Sequence, residues 1–102
     1  MKDDYFSCGL DRTIKIIGNK WSVAVLFELM SGTKRFNEIQ HSLGVSPRTL
    51  SLRLHQLEKD GIVHKKVYAQ VPPRVDYSLT RRGQSLNQVV QDMREWGCKH
   101  PK

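Results

Sequence analysis

The sequence predicts a mainly α domain with one small antiparallel hairpin, an α+β architecture. Three observations predict it. Apolar residues recur at helical spacing over five segments that are separated by Gly, Ser or Asn. One stretch, Val63–Leu79, switches to the alternating period of strands and is interrupted by Pro72-Pro73. The length of 102 residues suits a single domain. A chain of this size buries only about two-thirds of its unfolded surface, so a second protomer would add stability.

Ser7 is placed to cap a first helix over Cys8–Ile17, with Ile14, Ile17 and Trp21 at helical spacing. Gly18-Asn19 breaks it. Lys20–Met30 reads as a second helix that is apolar nearly all round (Trp21, Val23, Ala24, Val25, Leu26, Phe27, Leu29, Met30). Such a helix is buried on more than one side, here by the core and, as a second candidate, by a partner subunit. Trp21 reads as a core tryptophan. Ser31-Gly32 ends the helix, and Lys34-Arg35-Phe36 looks extended. Asn37 is the expected N-cap of a short helix, Glu38–Leu43, with Ile39 and Leu43 at i, i+4.

Ser46–Asp60 organises the rest. Ser46 suits an N-cap, Pro47 the first helical position, and Gly61 the stop. Leu50, Leu54 and Leu57 fall at i, i+4, i+7 and bury one side. The opposite side carries Arg48, Leu52, His55 and Lys59, flanked by Thr49, Ser51 and Gln56. A short helix, a tight Gly44-Val45 connection and this helix make a helix-turn-helix. Val63, Lys65 and Val67 then share one strand parity, and His64, Lys66 and Tyr68 the other. Ala69–Arg74 is the expected loop. Val75, Tyr77 and Leu79 alternate with Asp76 and Ser78 as the return strand. The hairpin is a wing, and the whole is a winged helix-turn-helix. Thr80 caps a last helix, Arg81–Trp96, with an apolar stripe at Leu86, Val89, Val90, Met93 and Trp96. The expected division is one domain over 1–102: a core at about 31–80, and terminal helices at about 8–18 and 81–98. The terminal helices are expected to pack across a two-fold axis in a homodimer; the alternative is that the last helix folds back on its own domain.

The charge points to a polyanionic partner. Lys and Arg number 17 against 10 Asp and Glu, a net charge of +7. Between Ser46 and Arg82 stand eight basic and three acidic residues, five of the seven excess charges. Such a field attracts polyanions, double-stranded DNA being the expected one, and the alternative is a solvated basic surface. Arg48, Thr49, Ser51, Leu52 and His55 are the candidates for the major groove. There Arg can donate two bonds to guanine, and Leu can meet a thymine methyl. Leu52 has an alternative, contact with a neighbouring helix. Arg53 lies nearer the buried stripe, where it pairs with a glutamate or reaches a phosphate. Lys65, Lys66, Arg74 and Arg81-Arg82 are expected at phosphates or the minor groove. No catalytic triad spacing, metal cluster or Gly-rich phosphate loop is present, so an enzyme, a metal and a cofactor are not expected. The start MKDDYFSCG lacks an apolar signal region, and Val23–Met30 is interrupted by Glu28 and too short to span a bilayer. The expectation is a cytoplasmic protein with no membrane partner.

Two cysteines, Cys8 and Cys98, make no disulfide framework, and Cys98-x-His100 is a weak metal pair. Under a Ser7 cap, Cys8 stands at the first helical position, where the helix dipole and Arg12 one turn on favour a thiolate. The alternative for Cys8 is a small buried hydrophobe.

Cys8 to Gly83 resembles the HxlR family of winged-helix transcription regulators. The matching residues are Ile17-Gly18-Asn19-Lys20-Trp21, Arg35-Phe36-Asn37-Glu38-Ile39, and Ser46 to Leu57 with Leu50, Arg53-Leu54 and Leu57-Glu58. Asp60-Gly61-Ile62-Val63, Pro72-Pro73-Arg74-Val75-Asp76-Tyr77-Ser78-Leu79-Thr80 and Gly83 complete the set. Asn19 stands where a second glycine is usual, Gly9 where proline often follows the cysteine, and Leu52 at a commonly polar position. The resemblance implies a dimeric DNA-binding regulator on a palindromic operator. It implies for some members the sensing of oxidants or electrophiles by a cysteine placed like Cys8. In such sensors a second cysteine near the partner's C-terminus, placed like Cys98, closes an intersubunit disulfide. A regulator that answers a small ligand or nothing, and a protein-interaction winged helix, are the competing readings.

Overall fold

The computed structural model describes residues 9–102, so Ser7 and Cys8 lie outside the described residues. The elements are α1 (Leu10–Ile17), α2 (Lys20–Leu29), β1 (Lys34–Arg35), α3 (Phe36–Leu43), α4 (Pro47–Lys59), β2 (Val63–Tyr68), β3 (Arg74–Leu79), α5 (Arg81–Gln84) and α6 (Asn87–Lys99). The mainly α architecture with a small antiparallel sheet is the one the sequence predicts. The sheet has three strands in the order β1-β3-β2, however, because Lys34 pairs with Tyr77 and Arg35 with Asp76. Two residues are too few to show a strand period, which is why this strand read only as extended chain.

The core lies where α2, α3 and α4 meet the sheet. Val25, Leu26 and Leu29 of α2, Ile39 of α3 and Leu50, Leu54 and Leu57 of α4 are buried. Ile62, Val63 and Tyr77 close it from the hairpin. Each fully buried leucine contributes about 1.5–3 kcal/mol of transfer free energy, so the α4 stripe alone fixes how that helix is rolled. Asn19 starts α2 by accepting from the N–H groups of Trp21 (2.9 Å) and Ser22 (3.3 Å). Trp21 is half-buried against the core.

Four boundaries differ from expectation. α1 begins at Leu10, with Gly9 in the N-cap position at φ 104°. The Gly9 carbonyl accepts from both the N–H and the hydroxyl of Thr13, each at 2.9 Å. The expected Ser7 cap and the Cys8 start of this helix lie outside the described residues. α3 starts at Phe36 with Arg35, not Asn37, at its N-cap. The Glu38 carboxylate accepts from the Arg35 N–H at 2.8 Å, so the cap is supplied from inside the helix. Arg74 belongs to β3 rather than to the loop. The last helix is two, α5 and α6, joined through Ser85 and Leu86. The break has a local cause. Thr80 accepts from the Gly83 N–H (3.0 Å) and donates to the carbonyls of Gly61 (2.6 Å) and Ile62 (3.1 Å). Gly83 sits against the Ile62 carbonyl so closely that a Cβ would collide with it. α5 is thus pinned to the chain leaving α4, and the Leu86 N–H bonds back to Gly83 rather than one residue earlier.

α6 docks on α2 through Val90, which is buried. Every residue from Gln91 onward is exposed, and the molecule is drawn out to 55 × 30 × 24 Å. The stripe of this helix is therefore divided: Val90 faces its own domain, while Val89, Met93 and Trp96 face outward.

Candidate nucleic-acid interface

The helix-turn-helix is set by two backbone devices. Gly44 ends α3 at φ 65°, a left-handed conformation that glycine adopts without a Cβ penalty. Ser46 then caps α4, its oxygen accepting from the Thr49 N–H at 3.2 Å while its hydroxyl donates to Thr49 Oγ1 at 3.0 Å. Thr49 is half-buried, and its hydroxyl serves the cap. Val45 is buried between these ends and locks the turn.

With the leucine side inward, the other side of α4 is open. Arg48, Ser51, Leu52, His55 and Lys59 are exposed. Leu52 is 55% exposed, so it does not pack on a neighbouring helix of its own protomer. Arg53 stands at the margin, half-buried, and among the described residues it has no ion-pair partner.

The wing separates its cations. Lys65 shares the core-side parity with Val63 and Val67, whereas Lys66 lies on the outer face with His64 and Tyr68. On that outer face Arg35, Asp76 and Lys66 form a row across the three strands, because Asp76 is the register partner of both. Arg74 is half-buried and engaged, rather than free as expected of a loop residue. Its Nε lies 3.1 Å from Asp76 Oδ1 and its Nη2 3.2 Å from Asp76 Oδ2, a two-point fork on a buried carboxylate. The guanidinium also covers the Tyr68 ring at 4.9 Å, and the Lys66 ammonium lies 5.0 Å from the same ring. Asp76, Tyr68 and Arg35 were absent from the sequence-predicted set. The signal for Asp76 was present: Arg74 and Asp76 stand two apart, hence on one face of any strand.

Arg81 and Arg82 are exposed, and Arg82 Nε donates to the Asp60 carbonyl at 3.1 Å, tying α5 to the end of α4. Cys98 is exposed near the end of α6. Cys8 lies outside the described residues. Among the described residues no group of three or more His, Cys, Asp or Glu could hold a metal ion, and no helix is long and apolar enough to cross a membrane.

Known proteins share this fold. The pattern of HxlR-like helix-turn-helix proteins matches residues 16–102. The chain is 44% identical over 99 residues to YdeP, an uncharacterized HTH-type transcriptional regulator of Bacillus subtilis, covering 96% of this chain and 77% of that protein. It is similar to the redox regulator HypR. The oxidized form matches with TM-score 0.84 at 44% identity, over 91% of this chain and 97% of that chain. The reduced form matches with TM-score 0.87 at 42% identity, over 91% and 93%. The transcriptional regulator YodB of B. subtilis matches in its reduced form with TM-score 0.78 at 33% identity, over 89% and 90%, and it is also solved after diamide treatment.

The clamp under the wing has a pH signature. The fork from Arg74 holds the Asp76 carboxyl below the ordinary carboxylate range. Partial burial opposes this, and the charges of Arg74 and Arg35 reinforce it. The carboxyl is therefore harder to protonate folded than unfolded, so its stabilisation is complete above the ordinary range and is lost as pH falls below about 4. Asp76→Asn should melt lower than the wild type at pH 7, and the gap should narrow as pH is lowered toward 3. Thermal melts across that range, followed by circular dichroism, check it. A variant whose melting temperature runs parallel to the wild type at every pH would show that the clamp has no such role.

Proposed function

This chain belongs to the HxlR-like helix-turn-helix family of transcription regulators, and from that premise we propose that it acts as a homodimeric, oxidant-responsive repressor on a palindromic operator. The observation that carries the DNA-binding half is the open side of α4, with Arg48, Ser51, Leu52 and His55 outward and three leucines inward. In this reading those four side chains meet base edges in the major groove, with Thr49 holding the cap beside them. Arg53, Lys65, Lys66 and the exposed Arg81 meet phosphates. Arg74 acts through Asp76 and Tyr68 to hold the wing rather than as a free phosphate contact. A regulator of this kind works in the cytoplasm, where the chromosome is.

Exposed apolar residues support the dimer. Nine large hydrophobics are exposed among the described residues, and six of them (Leu10, Ile14, Phe27, Val89, Met93, Trp96) lie on α1, α2 and α6. An open apolar groove of about 370 Å³ between α2 and α6 is lined by Val23, Ala24, Phe27, Val90 and Met93. A second copy meeting this face across a two-fold axis would cover what one protomer leaves wet. One domain over 1–102 then divides its labour: residues at about 31–80 read DNA, while helices at about 8–18 and 81–98 join the protomers. Two recognition helices in such a dimer must sit about 34 Å apart, one turn of DNA.

Similarity to HypR and YodB supports a thiol switch, since HypR is described as a redox regulator and YodB is solved both reduced and diamide-treated. In this reading Cys8 and Cys98 of the partner subunit each give up one electron and one proton to the oxidant, and one S–S bond forms. The exposure of Cys98 at the end of α6 leaves its sulfur accessible. The bond would shift the terminal helices and, through α5, the spacing of the recognition helices.

Arg48→Ala should weaken operator binding by about 1–3 kcal/mol while binding to random duplex changes less. Anisotropy titrations on both duplexes check it, and equal loss on both would remove base reading from Arg48. Treatment with diamide should give a dimer band on non-reducing gels that is lost in Cys8→Ser, together with reduced operator affinity in the wild type. Unchanged affinity after oxidation would end the switch even if the band formed.

A further inference from the structure

Three shallow depressions on this molecule share Asn37 in their walls, and together they are treated as one furrow. The first, an open hollow of about 740 Å³ on the outer face of the sheet, takes in Arg35, His64 and Lys66. The second runs from Arg35 and Asn37 to Gln70, Pro72 and Pro73 at the tip of the wing. The third runs from Asn37 along α3 past Gln40 and His41 to Gly44 and Val45, the turn that leads into α4. The walls of the furrow thus extend from the wing tip to the turn ahead of α4.

Its charges are sorted. Both acids on its walls are engaged, Asp76 by Arg74 and Glu38 by the Arg35 N–H. Lys34 is engaged as well, at 2.9 Å from Glu28. The Arg35 guanidinium, the Lys66 ammonium and the Asn37 amide remain, and among the described residues none of the three makes a hydrogen bond. Register sets Arg35 and Lys66 on either side of Asp76. With the carboxylate neutralised by its fork to Arg74, the two flanking cations are left to attract an external anion. The furrow is open rather than enclosed, which suits a polyanion lying across the surface rather than a small buried anion, and its far end is the turn that leads into the helix read as entering the groove.

We infer that this furrow seats the sugar-phosphate backbone of one DNA strand between the major groove taken by α4 and the minor groove next to the wing. Arg35, Asn37 and Lys66 are the phosphate donors. Arg35 and Asn37 are new to the interface. They stand at the start of α3, so the cap that Glu38 makes also aims them. The inference rests on the DNA-binding reading and adds to it a path and two donors.

The test is the salt dependence of binding to a mixed-sequence duplex of about 25 base pairs, about two turns of DNA, measured by anisotropy at several salt concentrations. Arg35→Ala should lower affinity and flatten the log–log salt slope by about 0.9, the value for one lost phosphate contact. Arg35→Lys should restore the slope, because the charge is kept. Asn37→Ala should lower affinity several-fold and leave the slope unchanged, since the amide carries no charge. Arg35→Gln, which keeps the backbone N–H to Glu38 and a similar length, serves if the alanine variant unfolds. Wild-type affinity and slope in the Arg35 variants, with Arg48→Ala still impaired on operator, would overturn the furrow alone. A wild type that ignores the duplex at low salt would overturn the DNA-binding reading and the furrow together.

Discussion

The burial of Leu50, Leu54 and Leu57 along one side of α4 is the constraint from which the rest follows. Each is 1% exposed, so the roll of the helix about its axis is settled by the core. Rotating it by one residue would turn those methyl groups to water and bring Ser51 or His55 into an apolar interior, where unpaired polar groups cost several kcal/mol. The outward set is therefore not chosen independently. It is whatever the heptad-like spacing of leucines leaves over: Arg48, Ser51, Leu52, His55 and Lys59. A short helix with its donors held outward by its own packing needs little further ordering to meet a groove, and that preorganisation favours binding.

The two ends of α4 are fixed by different chemistry. At the amino end Ser46 and Gly44 set the angle to α3. At the carboxyl end Thr80, Arg82 and Gly83 fasten α5 to Asp60, Gly61 and Ile62. The second attachment joins α4 to α6 through a short, bonded connection. A helix that leaves its domain with most of its length exposed is thus mechanically linked to the helix with the outward donors. The wing has its own internal support, in which Arg74 closes on Asp76 and covers Tyr68.

Much of this was legible in the sequence because it rests on period. The leucine stripe, the strand alternation from Val63 and from Val75, and the Ser46-Pro47 cap each have a local signature, and the structure places those elements as expected. Arg48, Ser51, Leu52 and His55 emerged outward for the same reason. What period does not carry was harder to read. The strand at Lys34-Arg35 exists only through its partners on β3. The division of the last helix depends on Gly83 meeting a carbonyl that is distant in sequence. The start of α3 was misplaced because Asn37 is the better cap by residue type, whereas Glu38 supplied the bond from within. Arg74 read as one more cation in a basic loop; its pairing needed the knowledge that the strand begins there. Local chemistry was legible, and long-range registry was not.

Leucine methyl groups test the central claim most directly, because α4 carries three that face the core and one that faces out. In methyl-resolved NMR spectra of the protein titrated with a duplex it binds, the Leu52 signals should move and broaden while those of Leu50, Leu54 and Leu57 hold their positions. Saturation of duplex, with Leu52 unmoved and the changes confined to the terminal helices, would contradict the account.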